Sequence, residues 1–154
     1  MKKVIRCVSN KDMELLVKMY LIDVENHLQR AEQFANDLIF RFKTIICINE
    51  EKILGTITWD TRGGLDDGVV ELLGLGVNSS YRRQGIAKLL TFSLIDKAKK
   101  YFSNAGYKLR VIYLFMERGN NIARSFYKNI GFREVSELPA FYPHDDAAIW
   151  IKYF

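Results

Sequence analysis

The residues best placed to do chemistry lie in one stretch. Val69-Val70-Glu71-Leu72-Leu73-Gly74-Leu75-Gly76-Val77 is followed by Asn78-Ser79-Ser80-Tyr81-Arg82-Arg83-Gln84-Gly85-Ile86-Ala87-Lys88. The first nine residues read as a strand. From Gly85 onward apolar residues recur at spacings of three and four, the pattern of an amphipathic helix. A strand running through a basic turn into a helix offers the first helical N–H groups, which have no intrahelical partner, and the positive end of the helix dipole. Arg82 and Arg83 add two charges there, and Gly85 with the small Ala87 lets a ligand approach the backbone closely. That combination is an anion site, suited to a pyrophosphate.

Two nucleotide motifs are excluded. A P-loop requires G-x-x-x-x-G-K-[ST], and Gly85-Ile86-Ala87-Lys88-Leu89 lacks its spacing and hydroxyl. A dinucleotide fingerprint requires G-x-G-x-x-G, whereas Gly74-Leu75-Gly76 has no third glycine and lies inside the strand. Glycine within a strand marks a bulge or a close approach by another backbone-like group, and a bulge here would free main-chain groups for a ligand.

The elements that must hold this turn follow from the rest of the chain. Residues 3–8 read as a strand. A helix carrying Met13, Leu16, Val17 and Tyr20 follows, with Ser9 and Asn10 as available N-caps. A second helix is expected from Val24 to Phe40, then strands over 43–49 and 52–60 joined by a short polar turn. The cluster Gly63, Gly64, Asp66, Asp67, Gly68 precedes the Val69–Val77 strand. The amphipathic helix runs to about Ser103, where Asn104-Ala105-Gly106 stops it. Then come a strand over 109–115, a helix over 120–129 whose buried spacing is Ile122, Phe126 and Ile130, and strands over 132–138 and 147–154. Residues 136–147 are read as a loop leading into the last strand. The order β-α-α-β-β-β-α-β-α-β-β predicts an α/β fold: one mixed, mostly antiparallel sheet with helices on both faces.

Composition sets the limits. The 154 residues are 49% hydrophobic and 27% charged, which excludes disordered and fibrous classes and fits one domain over 1–154. No apolar run approaches the roughly 18–20 residues of a membrane span. The N-terminal MKKVIRCVSN lacks the apolar core of a secretory signal, so a cytoplasmic location without membrane contact is expected. Cys7 and Cys47 show no metal-ligand or CxxC spacing and are expected to be buried and reduced. The net charge of +5 is local: Asn78–Arg110 holds eight basic residues against one acid, Asp96, for +7, while the remainder nets −2. A polyanion is the natural partner of that segment. A nucleic acid is disfavoured, because the basic residues have no interleaved stacking aromatics.

Two blocks carry a family resemblance. Arg82-x-x-Gly85-x-Ala87 resembles the Q/R-x-x-G-x-G/A signature of GNAT-type N-acetyltransferases, with the preceding strand and following helix in place. Asn120-x-x-Ala123-x-x-Phe126-Tyr127, ending in Gly131-Phe132, is similar to that superfamily's second block, and the match is firm over 53–132. The resemblance implies a GNAT-like sheet whose central parallel pair is splayed at a bulge, and acetyl-CoA as cosubstrate with no metal. It also implies site residues. Leu75 and Val77 would pair their backbone with the pantetheine amides. The main-chain N–H groups of the turn (Arg82, Arg83, Gln84, Gly85, Ile86, Ala87, Lys88) would hold the pyrophosphate. Asn120 would bond the pantetheine arm, and Tyr127, on the face opposite the Ile122–Phe126–Ile130 stripe, would sit near the thioester sulfur.

The chemistry so implied is acetyl transfer to a primary amine. A lysine with pKa near ~10.4 is neutral about once in 10³ at pH 7, a deficit of ~4–5 kcal/mol, whereas an α-amino group near ~7.7–8 forfeits about 1 kcal/mol. A general base is therefore wanted, and Glu71 is the candidate. It stands where histone-type members place a catalytic glutamate, and strand alternation puts it on one face with Leu73, Leu75 and Val77. Tyr127 would return a proton to the leaving sulfur. The acceptor is expected to be a peptide or protein amine, N-terminal or lysine. An acidic mouth built from Asp23, Glu25, Asp66, Asp67, Asp145 and Asp146 would instead suit a polyamine or small amine. An acyl-CoA sensor without turnover is a third reading. Adjacent His144, Asp145 and Asp146 do not converge as tetrahedral metal ligands do. A homodimer paired through the final strand is also expected as an option.

Overall fold

The computed structural model describes residues 2–154. In chain order the elements are β1 (Val4–Cys7), α1 (Met13–Asp23), α2 (Leu28–Asn36), β2 (Lys43–Asn49), β3 (Lys52–Arg62), β4 (Val69–Val77), α3 (Ile86–Asn104), β5 (Val111–Glu117), α4 (Asn121–Asn129), β6 (Arg133–Tyr142) and β7 (Asp145–Tyr153). The order is the one expected from the sequence. The strands form a seven-stranded sheet in the order β1-β2-β3-β4-β5-β7-β6. β4 and β5 are its parallel pair, and the ladders β1·β2, β2·β3, β5·β7 and β6·β7 are antiparallel. The chain divides into two compact units, one holding residues up to Asp60 with Gly74–Lys97, the other Thr61–Leu73 with Ala98–Phe154.

In the first unit, Leu16 of α1, Ala35 of α2 and Leu38 pack on Ile46, Ile48 and Ile53. Cys47 pairs with Gly55 but Ile48 pairs with Ile53, so Leu54 is an extra residue in β3. Such a bulge turns the side chains on either side of it to opposite faces. Ile53 therefore faces α1 and α2, while Gly55 faces α3, where a Cβ would meet Ile86 Cγ2 and Leu90 Cδ1 at 3.2 Å. That Cβ would also lie 2.9 Å from the Gly76 carbonyl oxygen, so only glycine fits there. α3 buries Ile86, Leu90 and Leu94.

α2 begins later than its periodicity predicts. Val24–His27 stays outside it because His27 is the N-cap, its Nδ1 accepting from the Arg30 N–H at 3.2 Å. After Asn36 the chain widens into a π-turn over Asp37–Arg41. Of the two cysteines Cys47 is buried, but Cys7 is exposed because β1 lies at the sheet edge with only β2 as neighbour.

The second unit corrects three expectations. β6 extends to Tyr142 and turns through Pro143-His144 directly into β7, so Ser136–Tyr142 is strand, with register shifts at Glu134/Ser136 and Leu138/Tyr142. β7 is bonded by β5 on one side and β6 on the other, so the final strand has no open edge for pairing between chains. On α4, Ile122 is 83% exposed while Tyr127 (6%) and Ile130 (9%) are buried and Phe126 is half-buried, so the inner face keeps Ile130 but takes Tyr127 in place of Ile122. Tyr127 stacks edge-on to Phe132 at 5.4 Å, and that contact sets the face that turns inward. Among the described residues no helix is long and apolar enough to cross a membrane.

Candidate functional site

The turn after β4 is built by backbone. The Asn78 N–H donates to the carbonyl of the bulged Leu54 at 2.8 Å, which fixes where the turn begins. Asn78 Oδ1 accepts from the Ser80 N–H at 2.9 Å, and its Nδ2 donates to both carboxylate oxygens of Asp23 at 3.0 Å. A short 3-10 turn, Ser79–Tyr81, follows, and then Arg83 (φ 63) and Gly85 (φ 78) adopt left-handed conformations before α3 starts at Ile86. A Cβ at Gly85 would touch nothing within 4 Å, so glycine is needed there for its conformation and not for space. Nothing of the protein stands within 4 Å of where a Cβ on Gly74 or Gly76 would be, and both residues are exposed.

Side chains at the turn have their own partners. Ile86 is buried against Gly55, leaving only its N–H to a ligand. Arg82 Nε leans back on the Val77 carbonyl at 3.4 Å, and Lys88 Nζ lies 5.7 Å from the Phe92 ring. Two cations from distant parts of the sequence join them. Lys3 Nζ donates to Gln84 Oε1 at 2.9 Å, and Lys52 Nζ stands 5.1 Å over the Tyr81 ring. The arrangement fits an anionic, polyphosphate-bearing ligand.

In the second unit, the parallel ladder pairs Val69 with Val111, Val70 with Ile112 and Glu71 with Tyr113. Val70 and Leu72 are buried, which leaves Glu71 on the other face of β4 with its side chain 15% exposed. Glu71 Oε1 accepts from Arg62 Nε at 2.9 Å and from the Tyr113 hydroxyl at 3.0 Å. Among the described residues Glu71 Oε2 has no hydrogen-bond partner, and it is not enclosed. Burial, and then the bond to Glu71, push the Tyr113 phenol above its ordinary value.

On α4, Asn120 is the N-cap, its Oδ1 accepting from the Ala123 N–H at 3.1 Å, so the amide Nδ2 is what remains for a ligand. Burial pushes the Tyr127 phenol well above its ordinary value, and its hydroxyl has no hydrogen-bond partner among the described residues. It therefore stays protonated across the physiological range.

Most acids of the expected acidic mouth serve local structure. Besides Asp23, Glu25 accepts from Tyr20 and Arg30, and Asp67 from the Gly64 N–H. Asp145 accepts from the Gly119 N–H and Asp146 from the Ala140 N–H. Asn78, Lys3, Arg62 and Tyr113 were given no role by sequence reasoning. Asn78 alone carried a local signal, as a capping residue type after a strand. The other three meet their partners across 81, 9 and 42 residues.

Comparison with known proteins finds acetyltransferases. A histone acetyltransferase of Arabidopsis thaliana, MCC1, is 32% identical over 129 residues, covering 80% of this chain and 50% of the relative. N-alpha-acetyltransferase 60 of Danio rerio is 34% identical over 79 residues, covering 51% of this chain and 31% of the relative. The chain thus spans half or less of the length of these relatives. The ribosomal-protein-S18-alanine N-acetyltransferase of Escherichia coli shares the fold with a TM-score of 0.78 at 18% identity, over 99% of this chain and 94% of that one. Arabidopsis thaliana NAA60, solved in complex with acetyl-CoA, superposes with a TM-score of 0.75 at 22% identity, over 99% of each chain. The family model for the acetyltransferase (GNAT) family matches residues 12–132, and the chain belongs to that family.

Proposed function

We propose that this chain is an N-acetyltransferase that moves an acetyl group from acetyl-CoA to a primary amine of a peptide or protein. The observation that carries the reading is the turn from Asn78 to Ile86, in which left-handed Arg83 and Gly85 deliver the chain into the start of α3. The main-chain N–H groups from Arg83 to Lys88, with the charges of Arg82 and Arg83, would hold the pyrophosphate. The backbone of Leu75 and Val77 would accept the pantetheine as an added strand, beside glycines that crowd nothing. Asn120 Nδ2 would bond the same arm. The bound cosubstrate supplies an acetyl thioester, whose C–S bond is the one that breaks.

The rest is done by side chains. Glu71 Oε2 takes the proton that the amine sheds as its nitrogen bonds to the acetyl carbon. Tyr127, neutral through the working pH range, directs its O–H to the departing sulfur. A peptide amine is favoured over a polyamine because Asp23, Glu25, Asp67, Asp145 and Asp146 are already engaged in caps, turns and ion pairs. The names of the relatives, a histone acetyltransferase and an N-alpha-acetyltransferase, support the same acceptor class.

Titration calorimetry with acetyl-CoA, CoA and dephospho-CoA tests the cosubstrate. Low-micromolar binding is expected, and no binding at millimolar ligand would break the reading. Thiol release with N-terminal peptides, lysine peptides and polyamines then tests the acceptor. Binding without release across that panel would leave a sensor in place of an enzyme.

A further inference from the structure

We infer that Arg62 and Tyr113 are positioning residues that clamp one oxygen of Glu71 so that the other is the proton acceptor. The inference rests on the acetyltransferase reading above and adds to it two residues without direct contact to substrate. A glutamate has three rotatable side-chain bonds, and a base left to wander loses the alignment that proton transfer needs. Here the rotation is stopped from two sides. Arg62, near the end of β3, donates Nε to Glu71 Oε1 at 2.9 Å while its Nη1 holds the Thr61 carbonyl at 2.9 Å, so the guanidinium is itself fixed. Tyr113 is the register partner of Glu71 in the parallel ladder, and its hydroxyl donates to the same oxygen at 3.0 Å. Its ring is braced edge-on by Phe115 at 5.8 Å.

Both donors choose Oε1. A strap that merely tied β3 to β4 would be as well served by a bidentate pair, with one nitrogen on each oxygen. Converging two donors on one oxygen leaves the second with its lone pairs unclaimed by the protein and open to solvent. In the acetyl transfer that second oxygen gains the proton, and the clamp makes no bond that must break for it to do so.

A double-mutant cycle on turnover tests this. Tyr113→Phe keeps the ring and removes one donor, and should lower kcat about ten-fold while leaving acetyl-CoA affinity unchanged by calorimetry. In the Glu71→Gln background the same change should cost less than about two-fold, because no base remains to be aimed. Equal losses in both backgrounds would overturn the clamp and leave Glu71 as the base. A Glu71→Gln variant with full turnover would overturn the base itself. Arg62→Gln should follow Tyr113→Phe in the cycle, and Tyr113→Phe decides the matter if Arg62→Gln fails to fold. A second readout needs no turnover. In the ligand-free protein the ¹³Cζ resonance of Tyr113 should move on Glu71→Gln, and an unmoved resonance would overturn the contact.

Discussion

Asp12 and Glu71 are both carboxylates held by an arginine, and they are built for opposite ends. Asp12, ahead of α1, has both oxygens taken: Oδ1 by Arg6 Nη2 at 2.8 Å, and Oδ2 by Arg6 Nη1 and the Ser9 N–H, each at 2.8 Å. Its side chain is 4% exposed. The bidentate pair and the capped N–H satisfy every group that folding has removed from water, so the carboxylate is a structural joint with nothing left to react. Glu71 is also mostly covered, yet its two donors meet on a single oxygen. What separates a joint from a candidate base in this molecule is the number of oxygens committed, not the presence of an arginine.

The contrast can be broken most sharply at Glu71. Glu71→Gln is expected to lower kcat by about 10²–10⁴-fold, the usual worth of a general base, with acetyl-CoA affinity and melting temperature nearly unchanged. Steady-state kinetics beside calorimetry and a thermal melt would check it, and a large drop in melting temperature would make Glu71 a joint like Asp12. The mirror experiment is Asp12→Ala. Losing the cap bond and leaving Arg6 unpaired should destabilise the fold by about 2–3 kcal/mol, roughly 4–12 °C in melting temperature, while turnover measured well below the melt is kept.

A smaller effect separates backbone from side-chain work. Gly85→Ala meets no neighbour but must hold φ 78, so it should cost about 1–2 kcal/mol, seen as a roughly five- to thirty-fold loss of acetyl-CoA affinity with kcat kept. Unchanged affinity would remove the left-handed turn from the binding argument. The smallest effect is on pH dependence. The hydrogen bonds from Arg6 hold the Asp12 carboxyl below its ordinary value. A depressed folded-state pKa contributes stability above the unfolded value near ~3.9, and that contribution is lost as pH falls through the folded value. Stability against urea should therefore fall below about pH 4 more steeply in the native chain than in Asp12→Ala. Parallel profiles would show that the pair adds nothing specific.

How far these sites could be read in advance differs with the physics of each. The turn is local: strand pattern, basic residues, Gly85 and helix periodicity lie within twenty consecutive positions, and the structure realises them in that order. The clamp is not local, since Tyr113 reaches Glu71 only through the parallel pairing of β4 with β5, across 42 residues. On α4 the sequence pattern misled at Ile122. Nine residues make two and a half turns, and Ile122–Phe126–Ile130 is as regular a stripe as the one that contains Tyr127. The strand expected over 132–138 runs on to Tyr142 because pairing with β7 overrides the poor strand preference of Pro139 and Ala140.

By itself, then, the sequence determined the order of strands and helices, the basic glycine turn and the two blocks that mark the family. Those depend on backbone conformation and short-range periodicity, which neighbouring residues dictate. Only the tertiary structure decided which face of α4 turns inward, that the final strand is enclosed between β5 and β6, and that one oxygen of Glu71 is held by two donors while the other is left open. These are outcomes of register and packing between elements, and Tyr113 and β5 reach Glu71 and β7 from parts of the chain that the local pattern does not contain.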